Sequence, residues 1–443
     1  MDRLAAYFEL KAAGTTHLKE ALAGLATFLA MAYILFVNPD ILSGAFPGVE
    51  RASLMSATAL AAALGTAVMG IWGRYPFALA PGMGLNAFFA FNLVGTMGMS
   101  YQAALTCVFI SGLIFIGIGG FGIRSYLVDA IPHSLKMAMT AGIGLFIAFI
   151  GLKSAGIVVA SPATLVTVGE VTSPPALTCL VGLFLMAGLV ARRIPAGILV
   201  GIVGATAFAI VLGLPVFGGK AFTGFDNGVW AMPVWPTTFW QMDFAAAFGH
   251  KEFFTAVFMI LFVDFFDTTG TLFGLGQQAG FLDSKGRLPR AGPAFVADGI
   301  ATTCSAIVGT SPTTTYIESA TGISQGGKTG LTAVWVAVLF LLSLFFYPLL
   351  GVVPSAAVAP ALIMVGVAMM SSVGRIEWQN TGEALPAFLV LLVIPLSFSI
   401  AEGIAFGIVG YCVMALFTST WNKLSPVLVG LGLLCALRWA FLL

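Results

Sequence analysis

Long apolar runs alternate with short polar joints along most of the chain. A run of about twenty apolar residues is long enough to cross a bilayer as a helix. The pattern predicts spans at residues 20–44, 54–73, 76–97, 101–123, 133–153, 175–194 and 195–214. A wetter segment, 215–249, interrupts them with Asp226, Asp243, Trp230, Trp235 and Trp240, and such tryptophans suit the headgroup level. Spans resume at 250–280, 291–309, 310–327, 329–350, 352–372, 385–401 and 402–420. Residues 1–19 mix Leu4, Tyr7, Phe8 and Leu10 with charges, which predicts an amphipathic segment at the membrane surface. They are too polar for the apolar core of a cleavable signal. A terminal segment, 421–443, holds one more apolar stretch, 424–442, which fits either a further span or an interfacial helix.

Two spans break the pattern. Ala80-Pro81-Gly82-Met83-Gly84-Leu85-Asn86 interrupts the third, and Gly309-Thr310-Ser311-Pro312-Thr313-Thr314-Thr315-Tyr316 opens the tenth. Proline removes an amide donor, glycine weakens a helix, and β-branched threonines favour extended backbone. Each site predicts a short extended piece followed by a half-helix, whose first amides lack helical partners. Seven spans precede the wet segment and seven follow it. The first and eighth share Ile-Leu-Phe-Val, followed by Asn38 and Asp40 in one and by Asp264 and Asp267 in the other. Setting Ala80-Pro81-Gly82 beside Ala320-Thr321-Gly322 puts Ala78 where Glu318 falls. The halves, 20–214 and 250–420, thus read as a repeat. An odd number of spans in each turns the second half upside down relative to the first.

Charge sets an orientation. With the N-terminus in the cytoplasm, Arg3, Lys11, Lys19, Arg74, Arg124, Lys136, Arg192, Arg193, Lys285, Arg287, Arg290, Lys328, Arg375 and Lys423 fall inside. Arg51, Lys153, Lys220 and Lys251 fall outside. That is the bias of the positive-inside rule. Composition removes other classes. Of the 443 residues 59% are hydrophobic and 8% charged, which is a polytopic membrane protein rather than a soluble one. A net charge of +1 offers no basic surface for nucleic acid. The five cysteines lie singly in apolar runs and the three histidines are scattered, so no metal, haem or other cofactor site is expected.

Candidate chemistry lies in the membrane. Asp264 and Asp267 of the eighth span, Asp298 of the ninth and Glu318 of the tenth are acids inside apolar or broken segments. Such a carboxylate costs roughly 3 kcal/mol on insertion scales and is usually kept for function. Glu318 has no basic neighbour nearer in sequence than Lys328, so it or Asp264 is a candidate proton carrier. Asp267 lies on a neighbouring helical face and suits a tie or a proton relay. Asp298 suits a structural or relay role, and Asn86 suits a brace of the half-helix or a ligand contact. Phe88, Phe89, Phe265, Phe266 and Tyr316 could stack on a flat ligand. Gly326-Gly327-Lys328-Thr329 resembles the end of a phosphate-binding loop but lacks its earlier glycine and its strand–helix setting.

With these residues in view, the chain resembles the adenine/guanine/hypoxanthine permeases, the AzgA-like branch of the nucleobase–ascorbate transporter superfamily. The matches are FVDFFDTTGTLFG (Phe262–Gly274), LDSKGRLPRAGPAFVAD (Leu282–Asp298), GTSPTTTYIESATGISQGGKTGLTA (Gly309–Ala333) and GMGLNAFFAF (Gly82–Phe91). The resemblance covers essentially the whole chain. It implies an all-α polytopic fold of fourteen spans in a seven-plus-seven inverted repeat, with a core domain moving against a gate domain. It further implies a homodimer that takes up purine nucleobases with protons; the chain is expected in the cell membrane with both termini cytoplasmic. The key acidic pair of related permeases carries over to Asp264 and Glu318, and Gly84, Asn86 and Asp267 match positions important for transport. The expected substrate contacts are Asp264, Phe265, Thr268, Ala80, Asn86, Thr315, Ile317 and Glu318. Glu318, Asp264 and Asp267 are the proton-coupling candidates, and Gly84 and Asp298 the structural support. Asp264 stands where other branches carry Glu, and Thr268 where uracil permeases carry His, which argues against a uracil permease.

Alternatives remain open from the residues alone. Within the same fold the substrate could be xanthine, uracil or an anion, although the acidic pair opposes an anion. A channel or an intramembrane enzyme is the other class, but no Ser/His or His/Glu constellation appears.

Overall fold

A computed structural model describes residues 2–121, 131–194, 196–224, 228–283, 287–418 and 424–442. Arg124, Lys285 and Lys423 of the expected cytoplasmic cations, and Asp226 of the wet segment, lie outside the described residues.

Apart from the two broken spans, the apolar runs of the described residues are mostly helical. A short helix, α1 (Asp2–Tyr7), precedes the first span, which is itself broken into α2 (His17–Met31) and α3 (Ile34–Ser43). Thr16 caps α2 by accepting from the Lys19 amide at 3.3 Å, and the second span is α4 (Arg51–Val68) with a π-helical end. The third is β1 (Leu79–Pro81), then α5 (Met83–Ala87) running into a π-helix, Phe88–Thr96. Then come α6 (Tyr101–Phe121), α7 (His133–Ser154), a hairpin of β2 (Val158–Ser161) and β3 (Leu165–Val168), α8 (Pro174–Ala191) and α9 (Gly197–Val211). The hairpin was not foreseen in the sequence, where its residues formed only a joint between spans.

The second half opens with α10 (Phe244–Gly249) and α11 (Phe253–Gln278), the eighth span. The ninth is α12 (Ala291–Val308), and the tenth is β4 (Thr313–Thr315) with α13 (Ser319–Ser324). The eleventh comprises α14 (Gly330–Ser343) and α15 (Tyr347–Gly351). The last three are α16 (Ser355–Met370), α17 (Thr381–Ser397) and α18 (Ile400–Phe417), followed by α19 (Pro426–Leu442). Among the described residues ten helices are long and apolar enough to cross a membrane, with four shorter apolar ones beside them.

The chain forms two compact units, Met1–Phe121 with Gly151–Ala361, and Gly122–Ile150 with Leu362–Leu443. In the second, α19 lies along α18 and antiparallel to it. The Cys412 thiol is 3.7 Å from the Leu428 carbonyl near one end of the pair, and the Trp439 indole donates to Glu402 at 2.9 Å near the other. The terminal apolar stretch therefore retraces the last span instead of lying across the helix ends.

In the first unit, α2 is the spine on which the tenth and eleventh spans rest. Glu20, fully buried, accepts from the Lys328 amide at 3.1 Å, the Thr329 amide at 3.2 Å and hydroxyl at 2.8 Å, and the Thr332 hydroxyl at 2.6 Å. A carboxylate at the start of α14 meets free amides and the positive end of the helix dipole, which offsets its burial. Higher on α2, Gly322 of α13 lies against Thr27 and the Ala23 carbonyl. A methyl group at 322 would come within 2.5 Å of that carbonyl. The N-terminal segment turns part of its apolar side inward. Phe8 and Leu10 are buried against Leu331, the Tyr7 hydroxyl donates to the Ile71 carbonyl at 2.9 Å, and Arg74 lies over the Tyr7 ring. Leu4 remains exposed.

Candidate functional site

The two breaks meet as a pair of strands. β1 and β4 are antiparallel, with Leu79 opposite Thr315, Ala80 opposite Thr314 and Pro81 opposite Thr313. Gly82 donates to the Pro312 carbonyl at 3.0 Å and Tyr316 to the Ala78 carbonyl at 2.9 Å, which extends the ladder at both ends. The extended pieces bury backbone at membrane depth, and pairing them satisfies the amides and carbonyls that the broken helices leave free.

Each repeat clamps its own strand with a threonine. Thr66 donates to the Leu79 carbonyl at 2.8 Å, and Thr302 donates to the Thr313 carbonyl at 2.7 Å. The matched clamps and the Ala80–Thr314 pair define how the halves superpose, and this corrects the alignment suggested by sequence. Counting equally along each chain from the central pair, Gly84, not Ala78, falls where Glu318 falls. The chance likeness of Ala80-Pro81-Gly82 to Ala320-Thr321-Gly322 had misplaced the frame.

The acids of the second repeat gather around these strands. Asp264 is fully buried; its Oδ2 lies 3.0 Å from the Thr302 hydroxyl, and its Oδ1 accepts no hydrogen bond. Asp298 is also fully buried and accepts from the Thr268 hydroxyl at 2.7 Å and the Thr315 hydroxyl at 2.8 Å. Thr314 lies 3.0 Å from Thr268 and 3.4 Å from Asp267, whose side chain is exposed. Glu318 stands just before α13, half-exposed, and accepts from the Tyr33 hydroxyl. The ion pairs among the described residues, Arg51–Asp40, Arg74–Glu9 and Arg287–Asp283, all lie elsewhere.

The expected residues thus divide. Asp264, Asp267, Asp298, Thr268, Thr315 and Glu318 come together. Ala80, Thr268 and Thr315 are buried, the two hydroxyls spent on Asp298, so in this conformation they form scaffold rather than an open contact surface. Asn86 is buried as well, donating to the Pro81 carbonyl at 3.3 Å and accepting from Ser311 at 2.7 Å, so it braces the half-helix. Phe265 packs against Phe115 and Phe295, with ring centres 6.0 and 5.8 Å away. Of the expected contacts, Ile317 is exposed and Glu318 half-exposed. Gly84 is partly exposed at the start of α5.

Other partners were missed in the sequence. Tyr33 sits at the break between α2 and α3, 1% exposed. Asn38 donates to Thr58 and Thr310, each at 2.9 Å, and accepts from Ser311 at 3.1 Å. The only signal for either was a polar group inside an apolar run, beside the Ile-Leu-Phe-Val that the halves share.

Comparison with known proteins identifies the scaffold. Residues 18–406 match the Xan_ur_permease model, described as the Permease family. The chain is 42% identical to the adenine permease AdeP of Escherichia coli K12, over 98% of this chain and 95% of that protein. It is 41% identical to the guanine/hypoxanthine permease PbuG of Bacillus subtilis, over 98% of this chain and 99% of that protein. Among solved structures, the transmembrane domain of the cyanobacterial bicarbonate transporter BicA matches with a TM-score of 0.66 at 16% identity, over 87% of this chain and 97% of that one. That likeness shows the fold, seven plus seven spans with core and gate parts. The relatives are permeases, so the protein is a membrane transporter and not an enzyme.

Proposed function

Because the chain belongs to the permease family, we propose that it imports purine nucleobases together with protons by alternating access between its core and gate parts. The observation that carries this proposal is the cluster of Asp264, Asp267, Asp298 and Glu318 around the paired strands, with no cation paired to any of the four among the described residues. A purine presents ring N–H and exocyclic donors to acids and ring-nitrogen acceptors to a protonated carboxyl. Asp264 keeps a buried oxygen without a donor, and Glu318 is partly open. A base N–H or a proton supplies what each lacks. Glu318 and Asp264 accept from the base, Glu318 carries the coupled proton, and Asp267 and Asp298 relay or support. That AdeP is an adenine permease and PbuG a guanine/hypoxanthine permease favours purines over uracil, xanthine or an anion.

The transporter functions as a homodimer in the cell membrane with its N-terminus in the cytoplasm. On that orientation α18 runs inward, and the antiparallel α19 runs back toward the outer face.

The test is uptake of radiolabelled adenine, guanine, hypoxanthine and uracil in vesicles, with and without a protonophore, joined to calorimetric binding. Purine uptake is expected to collapse with the protonophore. Glu318→Gln keeps size and most hydrogen bonding but cannot titrate, so binding partly survives while gradient-driven uptake fails. Asp264→Ala removes a buried acceptor, and binding falls about tenfold or more. Normal gradient-driven purine uptake by both variants would return these acids to a structural role.

A further inference from the structure

Two tyrosines are buried beside Glu318, and they are used differently. The Tyr316 hydroxyl donates to the Pro81 carbonyl at 2.6 Å and so ties its side chain to the β1 backbone. The Tyr33 hydroxyl donates to a carboxyl oxygen of Glu318. Tyr33 comes from the far end of the chain, at the point where α2 stops at Met31 and α3 begins at Ile34. α2 is bound to the Glu318 region independently of that contact. Glu20 anchors it to the start of α14, and Thr27 and Ala23 lie against Gly322 of α13. The phenol thus reaches Glu318 from the turn that follows a helix itself anchored to the Glu318 region.

We infer that Tyr33 is the positioning residue for Glu318, fixing the direction of its carboxyl and setting the pH at which it exchanges its proton. This rests on the proposal that Glu318 carries the coupled proton. A phenol O–H bonds both forms of a carboxyl but bonds the ionised one more strongly, because that bond is charge-assisted. The other titratable groups facing Glu318 are Tyr316, whose proton is committed to Pro81, and Asp267 of α11, which acts on it through charge alone. Of these neighbours, Tyr33 is the one with a hydrogen bond to the Glu318 side chain.

The sign follows directly. Removing the phenol oxygen takes a donor from the ionised form, so Glu318 holds its proton to higher pH. Tyr33→Phe is then expected to move the pH midpoint of gradient-driven uptake upward by roughly one unit. Incorporating 3-fluorotyrosine at Tyr33 makes a stronger donor and moves the midpoint downward. Both are measured in proteoliposomes with radiolabelled adenine, guanine and hypoxanthine. The infrared carboxyl band that disappears in Glu318→Gln should shift in frequency in both Tyr33 variants. If Glu318→Gln keeps coupled uptake, the assignment of Glu318 as carrier falls, and this inference with it. If Glu318→Gln loses coupling while the midpoint and the band stay fixed on fluorination, the role of Tyr33 falls and that of Glu318 stands. The fluorinated protein changes one ring atom only, so its result holds even if Tyr33→Phe does not fold.

Discussion

The third and tenth spans share one frame and differ in what they carry. Each is a three-residue strand followed by a half-helix, and each strand is clamped by a threonine from the preceding span, Thr66 or Thr302. The third is lined with Leu79, Ala80, Pro81 and Gly82, while the tenth offers Thr313, Thr314, Thr315 and Tyr316. Where Glu318 stands in one, the strand register puts Gly84 in the other. The first and eighth spans repeat the contrast, with neutral Asn38 after the shared tetrapeptide in one and Asp264 in the other. Symmetry supplies the backbone site, and the second repeat alone supplies the four acids gathered around it. That division suits a transporter. A frame built twice satisfies the broken backbone from both sides, whereas acids on both sides would double the cost of charge at membrane depth.

Three sets of substitutions probe the contrast. The largest effect is expected at the half-helices. Gly322→Ala drives a methyl group into the α2 backbone, and overpacking costs about 1–3 kcal/mol. Gly95→Ala in the third span meets only the Ala90 carbonyl at 3.4 Å and gains helix propensity, so it is close to neutral. Thermal stability in detergent and vesicle uptake of both variants measure the difference. Equal losses would show that α13 is not held by α2 as the packing indicates.

The clamps come next. Thr66→Val and Thr302→Val each remove a hydrogen bond to a strand carbonyl, for about 1 kcal/mol of stability. Thr302→Val also takes the hydroxyl neighbour from Asp264, so its purine affinity should fall several-fold further than that of Thr66→Val. Calorimetric titration with adenine, guanine or hypoxanthine decides this, and equal affinities would mean that the second clamp serves the strand alone. The smallest effect belongs to an acid of the same repeat outside the cluster. Asp283 is part of an exposed loop pair with Arg287 at 3.4 Å, the kind worth about 0.2–1 kcal/mol. Asp283→Ala should leave binding and uptake unchanged, and a loss like that of Asp264→Ala would break the claim that position at the strands is what matters.

The spans, the two breaks, the seven-plus-seven plan and the acids Asp264, Asp267, Asp298 and Glu318 were all legible in the chain by itself. Insertion into a bilayer is decided segment by segment, so apolar length, a proline or glycine break and an acid in a span declare themselves locally. The partners did not. Whether Asn86 touches a ligand or braces a half-helix depends on Ser311, and whether Thr268 and Thr315 are open depends on Asp298, all brought close only by packing. The repeat register was decided by strand pairing, which overruled a short run of similar residues. Glu20 acquires its role only because the start of α14 packs on top of it. Tyr33 acquires its role only where Glu318 meets it. In a low-dielectric interior each buried polar atom must find its donor or acceptor across the chain, and that choice belongs to the tertiary structure.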